Sequence, residues 1–459
     1  MMGICGTAMA SLAGLLKDRG FEVTGSDSNP YPPMSTQLEA LGIKIQKPYE
    51  AKNLNPQPDF VIVGNVISAA NPEAQEMNRL ELPYCSLPEA MGDLIIENRN
   101  SFVISGTHGK TTTTSLLSWV AECCSLQPGF LIGGIPKNFS QSFRNPTGNT
   151  FIIEGDEYDT AYFDKVPKFI HYKPKFVILT SVEFDHADIY KDFDAVKAAF
   201  KRLIQMVPDD GSLLFWGDDK NVSELSKMSF VKNNFSYGFL DHCHYQAVVD
   251  SQTEGFTSFS IYFNQEKLGD FRTTMTGSYN ILNATAVIAQ AHLQKWDFSS
   301  VQKAISTFLG VKRRQEVLGE PGGILIIEDF AHHPTAVKET VKGIQKRYQG
   351  RKVFSVFEPR SATSRRKVFQ KDYLEAFSYA DEIILAEAFD QAKIAEEERF
   401  SVHELINDLV AKGKKAVSYP TVEKIVEFLK SQAKAGDVIL IMSNGGFDGI
   451  YQKLMKILE

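Results

Sequence analysis

The apolar run Ser101-Phe102-Val103-Ile104-Ser105 passes directly into Gly106-Thr107-His108-Gly109-Lys110-Thr111-Thr112, and a helical stretch follows to about Cys124. Strand, glycine loop and helix in that order form the layout of a phosphate-binding site. Glycines let backbone N–H groups approach an anion, and the helix N-terminus adds its dipole. Lys110 then reaches terminal phosphates and the Thr111 hydroxyl is placed to hold Mg²⁺. The usual spacing is G-x-x-x-x-G-K-[ST]; here the residue five before Gly109 is Ile104, so the loop is a shortened variant.

A strand feeding a helix in this way belongs to an α/β fold, and the rest of the chain keeps the same rhythm. At roughly 150 residues per domain, the 459 residues predict three domains. The first, 1–99, alternates strand-like runs (22–27, 59–65) with a helix over 7–19 after Gly3-Ile4-Cys5-Gly6. A glycine turn of that kind normally follows a strand, yet only Met1 and Met2 precede it. The expectation is a missing first strand or a start placed late. The second, 100–318, adds strands near 151–154, 176–180 and 212–216, antiparallel segments over 245–263 and two helices reaching Gly310. The third, 319–459, restarts with strands at 324–328, 353–357, 382–385 and 438–442, read as a second, mostly parallel open sheet. The turn at 319–323 (GEPGG) reads as the hinge between the last two domains.

Loops after parallel strands are where ligands gather, and several here carry chemistry. Glu154-Gly-Asp-Glu-Tyr-Asp159 and Glu183-Phe-Asp-His-Ala-Asp188 each end a strand. Carboxylates and an imidazole beside a phosphate loop suit Mg²⁺, which binds substrate phosphates while keeping several waters. In Gly277-Ser-Tyr-Asn-Ile-Leu-Asn283, Tyr279 is placed to stack on a purine, with the Asn280 and Asn283 amides on its edge. Lys312-Arg313-Arg314 offers charge to phosphates. Asp329-Phe-Ala-His-His333 precedes Pro334 at a helix start, and Glu358-Pro-Arg360-Ser361 and Ser443-Asn444-Gly-Gly446 end two more strands. An Arg beside a glycine turn suits a carboxylate-bearing ligand.

Lys and Arg number 49 against 56 Asp and Glu, a net charge of −7, which lacks the basic excess that nucleic acid would require. The five cysteines are scattered with no C-x-x-C pair, so they read as structural in a reducing cytoplasm. No apolar run is long enough to span a bilayer, and no signal peptide is evident at the start.

Taken in order, GTHGKTT, EGDEYD, EFDHAD, GSYNILNA, GVKRR and EDFAHHPT resemble the ATP-dependent Mur ligases of bacterial cell-wall synthesis, across essentially the whole chain. GTHGKTT and HHPT are similar to the branch that joins an amine to UDP-N-acetylmuramate itself. The pieces GICGT, YPPMSTQLE (31–39), FEPRS and MSNGGF are similar to those members whose amine is the tripeptide L-alanyl-γ-D-glutamyl-meso-diaminopimelate. The resemblance implies a UDP-sugar domain, a central ATPase domain and a C-terminal Rossmann-like domain closing over the site. It implies that Gly3, Gly6, Thr7, Ser26 and Asp27 hold the nucleotide sugar, and that Gly106 to Thr112 bind ATP phosphates. Thr111, Glu154 and His186 would be magnesium ligands; Tyr279, standing where the family usually has His, would hold adenine with Asn280 and Asn283. Arg313 or Arg314 would offset phosphate charge, Asp329 and His333 would face nucleotide and reacting groups, and Arg360, Ser443 and Asn444 would face the peptide. Lys110, Glu154, His186 and His333 are then the catalytic set, with His333 as the proton acceptor. Weighed against this are an L-alanine ligase of the same branch, a folate polyglutamate synthase, a dinucleotide oxidoreductase and a non-catalytic nucleotide sensor.

Overall fold

The computed structural model describes residues 1–30, 34–139 and 141–459; Tyr31, Pro32 and Pro33 of the YPPMSTQLE segment lie outside them. Five of the strands anticipated in the last two domains fall within one residue of their expected ends: Asn100–Ser105, Phe176–Leu179, Ser212–Trp216, Val353–Phe357 and Val438–Met442. Each is buried along its length or nearly so, as continuous apolar runs are in sheets covered on both faces.

The central sheet has ten strands. Its parallel heart places Asn100–Ser105 between Thr150–Gly155 and Phe176–Leu179, followed outward by Ser212–Trp216, Asn234–Gly238 and Tyr245–Gln252. Thr257–Phe263 and Glu266–Thr273 extend it as an antiparallel meander. Alternation sends Phe102 and Ile104 into one core, beneath helices Lys110–Cys123 and Ser278–Leu293, and Val103 into the other. That second core is shared with the N-terminal segment: Leu12, Leu15 and Leu16 of helix Thr7–Asp18 join Phe143 and Phe151. Gly14 is pressed so close to the Phe143 ring that a Cβ there would lie 2.3 Å from it. The N-terminal region is therefore docked onto the central sheet by apolar packing.

In the N-terminal region, Gly25–Ser26 pairs in parallel with Ile45–Gln46, and Val61–Val63 with Tyr84–Ser86. Met2 bridges Ser26 and Val63 in parallel, so this one residue joins the two ribbons where a longer strand was expected.

The C-terminal sheet has six strands, parallel except at one edge. That edge overturns the hinge expectation at 319–323. Glu316–Gly319 pairs antiparallel with Leu325–Asp329, so the glycine-proline turn is a hairpin connection inside the sheet. A boundary at 318/319 would cut the strand; the chain enters this sheet at Glu316. Composition alone cannot distinguish the two, because a tight hairpin and a hinge both select Gly and Pro.

Candidate functional site

A cavity of about 500 Å³ runs between the phosphate loop, the N-terminal helix and the C-terminal sheet. Gly106 (φ +130°) and Gly109 (φ +82°) begin and end the loop, and both need to lack a side chain. A Cβ on Gly106 would lie 2.3 Å from Thr180 Oγ1, and one on Gly109 2.7 Å from Asn283 Oδ1. The loop is braced from the neighbouring strand end: Thr107 N–H donates to Ser181 O (2.9 Å) and His108 N–H to Ser181 Oγ (2.9 Å). Those two N–H groups are thus spent on the protein. The anion cradle is left to the first-turn amides of the helix starting at Lys110, which no helix can satisfy internally.

Lys110 Nζ donates to Gly106 O (2.5 Å) and lies 2.9 Å from Glu157 Oε2. Burial pushes its pKa down, but Glu157 and Asp156 outweigh that and hold the ammonium charged. Thr111 Oγ1 donates to Glu154 Oε2 (3.0 Å), and the other Glu154 oxygen accepts from Gly133 N (2.6 Å). Burial raises the pKa of Glu154.

The expected ligand set of Thr111, Glu154 and His186 is divided. Asp156, Glu157 and His186 form one of four groups among the described residues whose ligand atoms lie within 4.8 Å of one another. His186 sits in the left-handed region (φ +55°) with Nε2 3.4 Å from Glu157 Oε1. Burial lowers its pKa, and the bond to Glu157 more than reverses this. Glu154 stays on the Thr111 side of the same cavity. The strand ends at Gly155, so Glu154 is fixed by the strand while Asp156 and Glu157 lie in the loop beyond it and turn together toward His186.

Tyr279, Asn280 and Asn283 line the cavity together. The Tyr279 ring meets Trp216 at 5.9 Å, Asn280 Nδ2 donates to Thr276 O (2.7 Å), and Asn283 is buried beside Gly109.

The two arginines part company. Arg314 faces the cavity and donates to Thr111 Oγ1 (3.4 Å). Arg313, expected with the phosphates, instead turns into the C-terminal sheet: Nε donates to Glu328 Oε1 (2.6 Å), and Nη2 to the carbonyls of Ser443 and Gly445. Arg313 stands in the left-handed region (φ +62°), and the buried Glu328 claims its guanidinium while Arg314 stays on the cavity.

Asp329 lines the cavity but spends its oxygens on Gln315 N (2.8 Å) and Ala331 N (2.7 Å). His333 is a helix cap: Nδ1 accepts from Thr335 N (3.3 Å) and Nε2 donates to Phe184 O (3.2 Å). That lone pair is engaged by the helix start, a role the proton-acceptor expectation did not include. His332, beside it in the cavity, donates from Nδ1 to Phe330 O (3.0 Å) and keeps its Nε2 lone pair. Burial lowers its pKa, so the ring is neutral at pH 7.

In the N-terminal region Thr7 lines the cavity, Gly3 N donates to Ser26 O (2.9 Å), Gly6 N donates to Gly3 O (3.3 Å), and Asp27 Oδ2 accepts from Cys5 N (2.9 Å). Ser26 is buried, with its hydroxyl donating to Glu73. Arg360, Ser443 and Asn444 do assemble, around Glu358: Arg360 Nη1 lies 3.3 Å from its Oε1, Ser443 Oγ donates to its Oε2 (2.5 Å), and Asn444 Oδ1 is buried without a partner.

Sequence reading missed the seam between central and C-terminal sheets. Glu183 Oε2 accepts from Thr335 Oγ1 (2.7 Å) and lies 3.3 Å from His108 Nε2 and 3.5 Å from His333 Nδ1. Asp185 Oδ1 accepts from Thr363 Oγ1 (2.7 Å). Both carboxylates lay in the EFDHAD run, but their partners are some 150 to 180 residues away in sequence.

A nucleotide-phosphate site lodged between three α/β units defines a class of ligase. Three family models cover the chain: the Mur ligase family catalytic domain (1–99), the Mur ligase middle domain (104–291) and the Mur ligase glutamate ligase domain (313–445). The chain belongs to the Mur ligase family and is a carbon–nitrogen bond-forming ligase. It is 36% identical over 460 residues to the Escherichia coli UDP-N-acetylmuramate–L-alanyl-γ-D-glutamyl-meso-2,6-diaminoheptandioate ligase, covering 99% of this chain and 97% of the relative. A UDP-N-acetylmuramate–L-alanine ligase from Alkaliphilus metalliredigens is 30% identical, over 99% and 96%. The crystal structure of a murein peptide ligase from Psychrobacter arcticus superposes with a TM-score of 0.73 at 34% identity, covering 100% of this chain and 98% of that one. No helix among the described residues is long and apolar enough to cross a membrane.

Proposed function

We propose that this ligase joins the amine of L-alanyl-γ-D-glutamyl-meso-diaminopimelate to the lactyl carboxylate of UDP-N-acetylmuramate at the expense of ATP. The observation that carries the reading is full-length similarity to a ligase of that name, at 36% identity against 30% for an L-alanine ligase. The geometry supports it with a phosphate loop, a bank of carboxylates and a glycine-flanked Arg360 cluster around one cavity and its C-terminal rim.

A carboxylate acylates amines poorly, so it is first phosphorylated. Its oxygen attacks the γ-phosphorus, the bond to the bridging oxygen breaks, and ADP leaves. Positioning and charge neutralisation dominate such a step. Lys110 would leave Glu157 for the phosphates, Arg314 would add charge beside Thr111, and the first-turn amides would hold the anion. Tyr279, Asn280 and Asn283 would receive adenine. The oxygen and imidazole donors of Asp156, Glu157 and His186, with Thr111 and Glu154 opposite, fit Mg²⁺. Bound there, it would supply Lewis-acid stabilisation of phosphate charge. The amine then attacks the acyl carbon and phosphate is expelled, with His332 Nε2 as the lone pair available for the ammonium proton. The seam at Glu183 closes the C-terminal sheet over the cavity and keeps water from the acyl phosphate.

The test is phosphate release with UDP-N-acetylmuramate and Mg²⁺, offering the tripeptide or L-alanine, with the product weighed. Tripeptide-dependent release with a UDP-muramoyl-tripeptide mass is expected. Release with L-alanine alone would overturn the substrate assignment, and release with neither would leave a nucleotide-binding protein without this activity.

A further inference from the structure

Lys168 has no part in the motifs, yet its ammonium lines the cavity 2.5 Å from Asp156 Oδ2. It opens the short turn Lys168–His171, which is wedged between the central sheet and the N-terminal region. Phe169 and Tyr172 share a core with Leu87, and Gly92 lies against the His171 carbonyl so tightly that a Cβ would be 2.1 Å from it. The hairpin just before it, Asp159–Ala161 with Asp164–Pro167, reaches into the N-terminal region. There Asn65 Nδ2 donates to Asp159 O (2.8 Å) and the Phe163 ring meets Tyr84 at 5.0 Å. His171 closes the brace at 2.6 Å from Asp164 Oδ2. So Lys168 is held at the wall of the cavity where the N-terminal region meets the central sheet.

Electrostatics says what that ammonium is for. Glu154, Asp156, Glu157 and Asp185 surround the middle of the site, and a carboxylate brought there would be repelled. Lys110 and Arg314 stand on the phosphate side, beside Gly106 and Thr111. Of the other long-chain cations lining the cavity, Lys137 is tied to Glu316 (3.1 Å) and Arg347 to Thr274 O (3.0 Å), whereas Lys168 is paired within the acidic group itself, with Asp156 (2.5 Å). We propose that Lys168 receives the carboxylate of the acyl donor, orienting it for attack on the γ-phosphorus. This rests on the reading above in taking the donor to be UDP-N-acetylmuramate. One carboxylate oxygen forms the new bond to phosphorus while the other stays on the ammonium. Lys168 remains protonated throughout, and ADP departs with the electrons of the broken bridge bond.

The test is calorimetric titration of UDP-N-acetylmuramate with a non-hydrolysable ATP analogue and Mg²⁺ present, alongside steady-state turnover, on wild type, Lys168→Met and Lys168→Arg. A lost charge-assisted contact should raise the Kd and KM for UDP-N-acetylmuramate about tenfold or more in Lys168→Met. Affinity for the ATP analogue should be unchanged, and Lys168→Arg should recover most of the loss. If Lys168→Met fails to fold, Lys168→Gln carries the same comparison. Equal affinity for UDP-N-acetylmuramate in variant and wild type would overturn the inference. A loss falling on the ATP analogue or on Mg²⁺ would do so too, reducing Lys168 to a counter-ion of Asp156. Failure of the wild type itself to bind UDP-N-acetylmuramate would overturn the substrate reading, and this inference with it.

Discussion

The two sides of the cavity are built differently. The phosphate side comes from one continuous stretch, strand Asn100–Ser105 through helix Lys110–Cys123, with Glu154 on the strand alongside. The C-terminal side is a seam of long-range polar contacts, in which Glu183 and Asp185 take hydrogen bonds from Thr335 and Thr363. The first is backed by an apolar core drawn from the central sheet and its own helices. The second is held by hydrogen bonds and partly buried charge, which break and re-form at little net cost when water replaces the partner. On the proposed reading, one wall would hold the nucleotide and the other would open and close.

Five measurements would break or sharpen that contrast. Lys110→Met, on the phosphate side, should cut turnover about a thousandfold by removing a charge that acts on the transferring phosphoryl group. Phosphate release should show this while circular dichroism stays unchanged. Glu183→Gln, on the seam, keeps a hydrogen-bonding shape but loses the charge. It should lower kcat about tenfold to hundredfold at unaltered ATP affinity, with small-angle scattering reporting a more open C-terminal region. An unchanged scattering profile and kcat would mean that the seam does not hold the closed form.

The neighbouring arginines sharpen the comparison further. Arg313→Ala strands the buried Glu328 and should cost about 1.5–3 kcal/mol in chemical denaturation. Arg314→Ala should slow turnover with no matching loss of stability. The smallest effect is on pH. Burial, followed by the charge of His108, holds the His333 pKa well below its ordinary 6.5. As pH falls below about 6.5 the unfolded chain therefore takes a proton that the folded one refuses, and stability drops. Glu183 resists burial through its bond to His108 and is held below the ordinary 4.5, so its share of stability is lost as pH falls below that value. Each group contributes a slope of at most about 1.4 kcal/mol per pH unit. Thermal melts from pH 7 to 3 should show the decline, and below pH 4.5 it should be flattened in Glu183→Gln. Parallel curves would remove Glu183 from it.

Much of the fold was legible because long apolar runs between glycine turns have one good solution, a buried parallel strand. The phosphate loop was legible for the same local reason: Gly106, Gly109, Lys110 and Thr111 act through spacing along the chain. Less was legible where neighbours in sequence had to be told apart. Arg313 and Arg314 differ only in which side of a turn they face, and His332 and His333 only in which lone pair a helix start consumes. Lys168 carried no motif, since its meaning lies in what its hairpin leans on.

By itself the sequence determined the α/β rhythm, the phosphate loop and the family, because these depend on backbone propensity and short-range spacing. Only the tertiary structure decided which carboxylates share a point, which histidine keeps a lone pair and which lysine meets the N-terminal wall. Those outcomes depend on side-chain direction and on contacts between segments more than a hundred residues apart, and a buried donor or acceptor takes whichever partner the fold brings within about 3 Å.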